Sequence, residues 1–252
     1  MTSRGTAPWR SGAFITAEVI GQAIVEGEFS QGERLPLEAE LASRFAVSRN
    51  TLREAMKLLA AKSMVAIAPR RGTVVLPRAE WNVLDPDVID WFGSFFRADP
   101  QFLEELAKTR QTIEPAAAFE AAVSATPEQV QAVAAAYRAM EGQHGSDSTV
   151  EQVKVDVAFH LAVADAANNR FIQSIIRSII HAVRANFEAL IEQPGNFEGN
   201  LKNHRLVYEA IAAHDPGRAR AAMDKLLEQS LSDTKELFGS TRTRRGSSTG
   251  ID

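Results

Sequence analysis

Apolar positions recur first at helical spacing, then at strand spacing, and then at helical spacing again, which divides the chain in two. In "GAFITAEVIGQAIVEG", residues 12–27, the set Ile15, Val19, Ile20 and Ile24 predicts a helix that stops at Gly27. "LPLEAELASRF" predicts a short second helix after Pro36. "AVSRNTLREAMKLLAAKSM" predicts a third, with Ser48 as N-cap and Leu52, Ala55, Met56 and Leu59 on the inner face. "MVAIAPRRGTVVLP" then alternates around a turn at Pro69 to Gly72, which predicts a hairpin. Three helices and a hairpin make one compact unit, residues 11–76.

Residues 77–84, "PRAEWNVL", read as a linker, and 85–238 read as helix throughout. The start signals are clear: Asp85-Pro86, Asp99-Pro100 and Asp215-Pro216 pair an N-cap with proline in the first turn. Thr126 with Gln129, and Ser148 with Glu151, have capping-box spacing. Pro115 falls inside a helical pattern and is expected to kink or divide it. Pro194-Gly195 should stop the long apolar helix that begins near Asn169. The polar, Gly/Ser-rich tail 239–252 is expected to be disordered. The fold class is therefore mainly α, with one small hairpin and an all-helical second domain.

Composition narrows the function. The 252 residues, 45% hydrophobic, are enough for two modest domains. With no cysteine, disulfide frameworks, thiol nucleophiles and Cys-based zinc sites are excluded. The first residues lack the apolar core of a signal peptide, and no apolar run approaches the roughly 20 residues that span a bilayer. A soluble, cytoplasmic protein with no membrane partner is expected. Charge is uneven: residues 1–78 hold 11 Lys/Arg against 7 Asp/Glu, whereas 79–252 hold 17 against 25. A basic first part on an acidic body fits a polyanion that meets only the first part.

The third helix carries the matching chemistry. Arg49 and Arg53, four apart, project from one face, with Asn50 and Thr51 beside them at the helix start. A helix in a major groove needs Arg and Asn at its first turns for base edges, and hydroxyls and amide ends for phosphates. Arg70, Arg71 and Gly72 at the hairpin tip can reach phosphate or the minor groove. The plainer alternative is a solvated face with two arginines.

"GERLPLEAELASRFAVSRNTLREAMKLL" followed by "RRGTVV" resembles the winged helix-turn-helix of GntR-type bacterial transcription regulators over residues 12–76. The resemblance implies operator contacts by Ser48, Arg49, Thr51 and Arg53, with Gly72 entering the minor groove. Where the family often carries a basic residue this chain has Ala39, so Arg34 or Arg44 would take over that contact.

The second part, 84–238, resembles the ligand-sensing domain of the FadR-type branch, the FCD domain, an antiparallel helical bundle that also dimerises. Its markers are Arg110 and Glu114 in "RQTIEP", Asp156 and His160 in "DVAFH", Asn169, and His204 in "NHRLVYEAI". Taken alone, "DVAFH" is a metal site, a pocket wall or a polar pair on a helix face; i,i+4 spacing lets both side chains converge on one ion. The resemblance implies a divalent metal, zinc or similar, on Asp156, His160 and His204. The family's last histidine is Leu226 here, which leaves at most three protein ligands, so the site is either a weak metal centre or a metal-free polar pocket that binds an effector directly; His214 is expected to be exposed.

Further resemblance, in "PRAEWNVLDPDVIDWF", "RQTIEPAAA" and "VRANFEAL", is to sugar-acid-responsive members of that branch. It implies a homodimer on double-stranded operator DNA that is released by galactonate or a related aldonate. Arg110 and Arg184 would take the carboxylate; Asp156, His160, Asn169 and His204 would serve hydroxyls. The rivals are a ligand-strengthened activator or dual regulator, and a metal-dependent sugar-acid enzyme on Asp156, His160 and His204.

Overall fold

The computed structural model describes residues 11–246 apart from 69–71, 98, 147 and 192–195; the side chains of 92–97, 100, 185–191, 196, 198, 231 and 233–246 also lie outside the description. Its contacts form two units, Met1–Phe95 and Phe96–Asp252. Each is taken by itself.

The first unit contains α1 (Gly12–Val25), α2 (Glu38–Arg44), α3 (Arg49–Ala61), the antiparallel strands β1 (Val65–Ala68) and β2 (Gly72–Val75), and α4 (Pro86–Arg97). Ser48 caps α3 as expected, its hydroxyl accepting from Thr51 N at 3.1 Å. Leu52, Ala55, Met56 and Leu59 are all buried beneath the exposed Arg49, Asn50 and Arg53. Between α2 and α3, Ala46 adopts φ 53°, and Val47 N reaches back to Ala42 O at 2.9 Å, so a left-handed cap sets the turn of the motif. On α1 the buried face differs from the expected one. Ile20 and Ile24 are buried, but Ile15 and Val19 are exposed, and Thr16, Ala17 and Gly21 point inward instead. Small residues win there because α1 lies close to its neighbours: a Cβ at Gly21 would stand 3.0 Å from the Trp91 ring.

The wing is broader than a hairpin. Leu35 N donates to Thr73 O at 2.9 Å and Val75 N to Glu33 O at 3.0 Å, which lays the segment around Arg34 along β2. Gly72 opens β2 at φ +83°, a conformation that costs other residues about 1–2 kcal/mol.

The expected boundary at Leu84/Asp85 moves to Phe95, and 77–84 is no free linker. Trp81 is buried and its indole donates to Leu76 O at 3.0 Å; Val88, Ile89 and Trp91 of α4 are buried too. The tie is Lys62, at the C-terminal end of α3, which donates to Asp85 and Asp87 at 2.7 Å each and lies 5.1 Å from the Trp91 ring centre. Burial alone would lower its pKa, but the two carboxylates outweigh that and raise it. Lys62→Met keeps the stem on Trp91 but leaves two carboxylates together. The expected loss of stability is about 1–3 kcal/mol, read by urea unfolding followed through tryptophan fluorescence.

The second unit contains α5 (Pro100–Ser124), α6 (Pro127–Glu141), α7 (Thr149–Ala166), α8 (Arg170–Ile191), α9 (Asn196–Ala212) and α10 (Pro216–Gly246). Asp99, Thr126 with Gln129, and Asp215 cap their helices as expected. Ser148 does not: its side chain makes no cap bond, and Glu151 pairs with Lys154 at 3.3 Å instead. Pro115 does not divide α5, whose next turns bury Ala117, Ala118, Ala121 and Ala122. Packing of that alanine face against α10 and α7 outweighs the one lost backbone bond. The helix of the expected tail also persists: α10 runs to Gly246, because Gly239 and Ser240 weaken a helix without stopping it. Residues 247–252 lie outside the description, as does the Pro194-Gly195 stop; α8 ends at Ile191.

α7 packs against α5, α6 and α8. Phe159 and Val163 face one apolar cluster, with Met140, Ile211 and Met223, while Ala164 faces another, with Ala117, Ile176 and Ile180. Polar side chains on such a helix are buried and must find partners.

Candidate functional site

Five polar side chains from three helices meet in this core. α5 supplies Arg110 and Glu114, α7 supplies Asp156 and His160, α9 supplies His204, and none is more than 5% exposed. Glu114 receives Arg110 Nε at 2.5 Å on Oε1, and its Oε2 stands 2.5 Å from His160 Nδ1. His160 Nε2 then faces Asp156 Oδ2 at 3.8 Å and Arg110 Nη2 at 3.3 Å. His204 Nδ1 lies 2.9 Å from Asn200 O, so it donates its proton to that carbonyl and Nε2 keeps the lone pair. That Nε2 stands 3.2 Å from Asp156 Oδ1 outside hydrogen-bond geometry, and among the described residues His204 Nε2, Asp156 Oδ2, Glu114 Oε2 and His160 Nδ1 have no hydrogen-bond partner, the last two being in close contact but not aligned for one.

Burial would raise both carboxyl pKa values, yet each is lowered. Arg110 and His160 hold Glu114 down, and His204, His160 and Arg110 hold Asp156 down. Both are thus carboxylates in a dry core, with only Arg110 as a permanent counter-charge. One ligand atom each from Asp156, His160 and His204 lies within 4.8 Å of the other two. The Nε2 atoms of His160 and His204 and the Asp156 carboxylate form a donor set that fits a divalent cation such as zinc, which would take the place of Arg110 Nη2 at His160 Nε2.

The other expected site residues stand elsewhere. Asn169 is exposed at the start of α8, where its Oδ1 accepts from Phe171 N and Ile172 N at 3.0 and 3.3 Å, so it caps the helix. Arg184 is exposed on α8, not in the buried cluster. Leu226 is 2% exposed within the core around Phe159 and brings no fourth nitrogen. His214 is exposed, with Nδ1 3.0 Å from Ala122 O. Glu114 was absent from the expected ligand-binding set. Its i,i+4 spacing from Arg110 was visible, but its contact with His160, on another helix, was not.

In the first unit, Ser48, Arg49, Asn50 and Arg53 are exposed and Thr51 half-exposed at the start of α3, with Arg34 exposed beside the wing. Arg53 Nε is held by Glu38 at 2.8 Å. Arg44 pairs with Glu28 and lies 5.0 and 5.4 Å from the Phe29 and Phe45 ring centres, a structural clamp. Arg70 and Arg71 lie outside the described residues.

A winged helix with a basic recognition face, followed by a helical unit enclosing a metal-competent polar cluster, is the make-up of a ligand-responsive, DNA-binding transcription regulator. Residues 16–75 match the bacterial regulatory proteins of the gntR family and residues 105–229 match the FCD domain; the chain belongs to this family. It is 31% identical over 219 residues, 86% of this chain and 94% of the other, to the galactonate operon transcriptional repressor of Escherichia coli strain K12. It is 28% identical to the HTH-type transcriptional repressor NanR of Escherichia coli strain K12 / DH10B, over 90% of this chain and 86% of that one. For the fold alone, the solved structure of Lar, described as controlling the Listeria monocytogenes agr system, superposes with a TM-score of 0.66 at 19% identity, covering 92% of this chain and 100% of that one. The protein is a transcription regulator and not an enzyme, which removes the sugar-acid enzyme from the alternatives. No helix among the described residues is long and apolar enough to cross a membrane.

Proposed function

We propose that this chain is a dimeric repressor of sugar-acid catabolism genes, released from its operator when galactonate or a related aldonate binds the helical unit. The observation that carries this reading is the buried cluster of Asp156, His160 and His204, to which Leu226 adds no fourth ligand, in a chain similar over most of its length to a galactonate operon repressor.

Charge supports an anionic effector that depends on a cation. Two carboxylates, Glu114 and Asp156, share the cluster with one guanidinium, Arg110, so a bare anion finds no surplus of permanent positive charge there. When bound, a divalent cation supplies the positive charge and Lewis acidity that a carboxylate and an adjacent hydroxyl can bind. Asp156, His160 and His204 would hold it, and Leu226 leaves a further donor to come from the effector. Arg110, committed to Glu114 and His160, contributes positive charge to the wall more than a fork of its own. Arg184 and Asn169, both exposed, fall outside this version of the pocket.

On the DNA side, Ser48, Arg49, Asn50, Thr51 and Arg53 would meet one operator half-site, with Arg34, Arg70, Arg71 and Gly72 at the wing. Arg49→Ala is expected to weaken operator binding by about 1–3 kcal/mol, with an unchanged circular dichroism spectrum and little effect on random duplex.

Effector and operator binding are coupled through one free energy, so operator must weaken effector binding as much as effector weakens operator binding. The test is fluorescence anisotropy on operator DNA at fixed salt, with galactonate and other aldonates, with and without chelator. Release by one aldonate, abolished by chelator, is expected. Tighter DNA binding on adding the aldonate identifies an activator, and no change with any aldonate overturns the effector class.

A further inference from the structure

The two candidate histidine ligands are aimed by different devices. His204 is turned by the carbonyl of Asn200, a neutral group one turn earlier on its own helix. His160 Nδ1 is instead in close contact, at 2.5 Å, with Oε2 of Glu114, an anion on α5, although α5 supplies no candidate ligand and a small turn of the ring is needed to align the bond. Glu114 is 2% exposed, and its second oxygen is gripped by Arg110 Nε at 2.5 Å, so its carboxylate plane is set before any ligand arrives. A carboxylate behind an imidazole fixes the proton on the near nitrogen and makes the far nitrogen a stronger donor.

We propose that Glu114 is the positioning residue of the cation site: it holds His160 with the proton on Nδ1 and turns Nε2 toward Asp156, while Arg110 holds Glu114 in place. This rests on the metal reading under "Proposed function" and adds a residue that would bind neither metal nor effector. It also gives α5 a stake in metal capture, because a movement of Glu114 along α5 would rotate the His160 ring. The arrangement further explains why so costly a group as a buried carboxylate stands beside a metal site without joining it: a carboxylate that only balanced Arg110 would have no need to face His160.

The experiment uses the full chain, stripped with chelator and then titrated with cobalt(II), whose visible spectrum reports ligand geometry, and with zinc(II) against a chromophoric chelator. Glu114→Ala is expected to weaken metal binding about 10–100-fold and to change the cobalt bands. Glu114→Gln, whose amide oxygen still accepts from Nδ1, should recover part of that loss. Either single change leaves Arg110 buried without its partner and can cost the fold, so the deciding variant is Arg110→Met/Glu114→Gln, which removes both charges together. It should melt near the wild type yet bind cobalt more weakly and with altered bands. A folded double variant with wild-type affinity and spectrum overturns the proposal, since a merely structural Glu114 shifts melting and leaves both unchanged. If the wild type itself binds neither metal, the metal reading fails first, and this inference falls with it.

Discussion

Asp156→Ala should abolish metal binding by the helical unit and also lower the stability of the metal-free protein. The two halves have one cause. Asp156 is the candidate ligand that faces both imidazoles, with His160 Nε2 3.8 Å from Oδ2 and His204 Nε2 3.2 Å from Oδ1. A group behind a ligand is worth about 10–100-fold in affinity, so loss of this carboxylate should cost more than about 100-fold. Without metal it is a buried carboxylate held ionised by His204, His160 and Arg110, so its removal also takes those attractions away. Zinc titration and melting of the chelated protein read the two halves separately, and an unchanged zinc affinity beside a lowered melting temperature would show that Asp156 is only structural. Any aldonate-induced melting shift should vanish in this variant.

Phe159→Ala should give the largest loss of stability, about 3–5 kcal/mol. Phe159 is fully buried, with its ring centre 5.0 Å from that of His204 and 5.8 Å from that of His160, both edge-on. It fills the apolar side of the polar cluster, and the space left behind cannot close without displacing the histidines. The loss can be assigned to one unit, because Trp9, Trp81 and Trp91 precede residue 96 whereas Tyr137 and Tyr208 follow it. Tyr137 and Tyr208 stack at 5.9 Å between ring centres and report on the helical unit. In urea the helical transition, followed by circular dichroism and tyrosine absorbance, should move to lower concentration. The tryptophan transition should stay in place. Movement of both together would mean that the two units unfold as one.

The recognition helix was legible because its signals are local. Ser48 as cap, the Leu52, Ala55, Met56 and Leu59 stripe, and the basic face opposite all depend on residues within a few turns. Errors arose where distant residues decide. The inward face of α1 is Thr16, Ala17 and Gly21 because Trp91, far along the chain, presses against it. Residues 77–84 looked like a linker because one tryptophan and a few polar residues give no periodicity; Lys62 and its two aspartates are what hold the following helix onto the unit.

The buried polar cluster was half legible. Asp156 and His160 share a helix face by spacing alone, and His204 was placed with them only by resemblance. Asn169 and Arg184 were drawn in the same way, and the fold puts one at a helix cap and the other in solvent.

By itself, then, the sequence determined the order of elements, the caps, the recognition face and the ligand types available, because each depends on residues one to four positions apart. The tertiary structure alone decided that α7 packs against α5, α6 and α8, that Glu114 stands behind His160, and that the Nε2 atoms of both imidazoles approach Asp156. Those are meetings of side chains on separate helices, set by packing and by the need to partner buried charge, and spacing along one chain does not encode them.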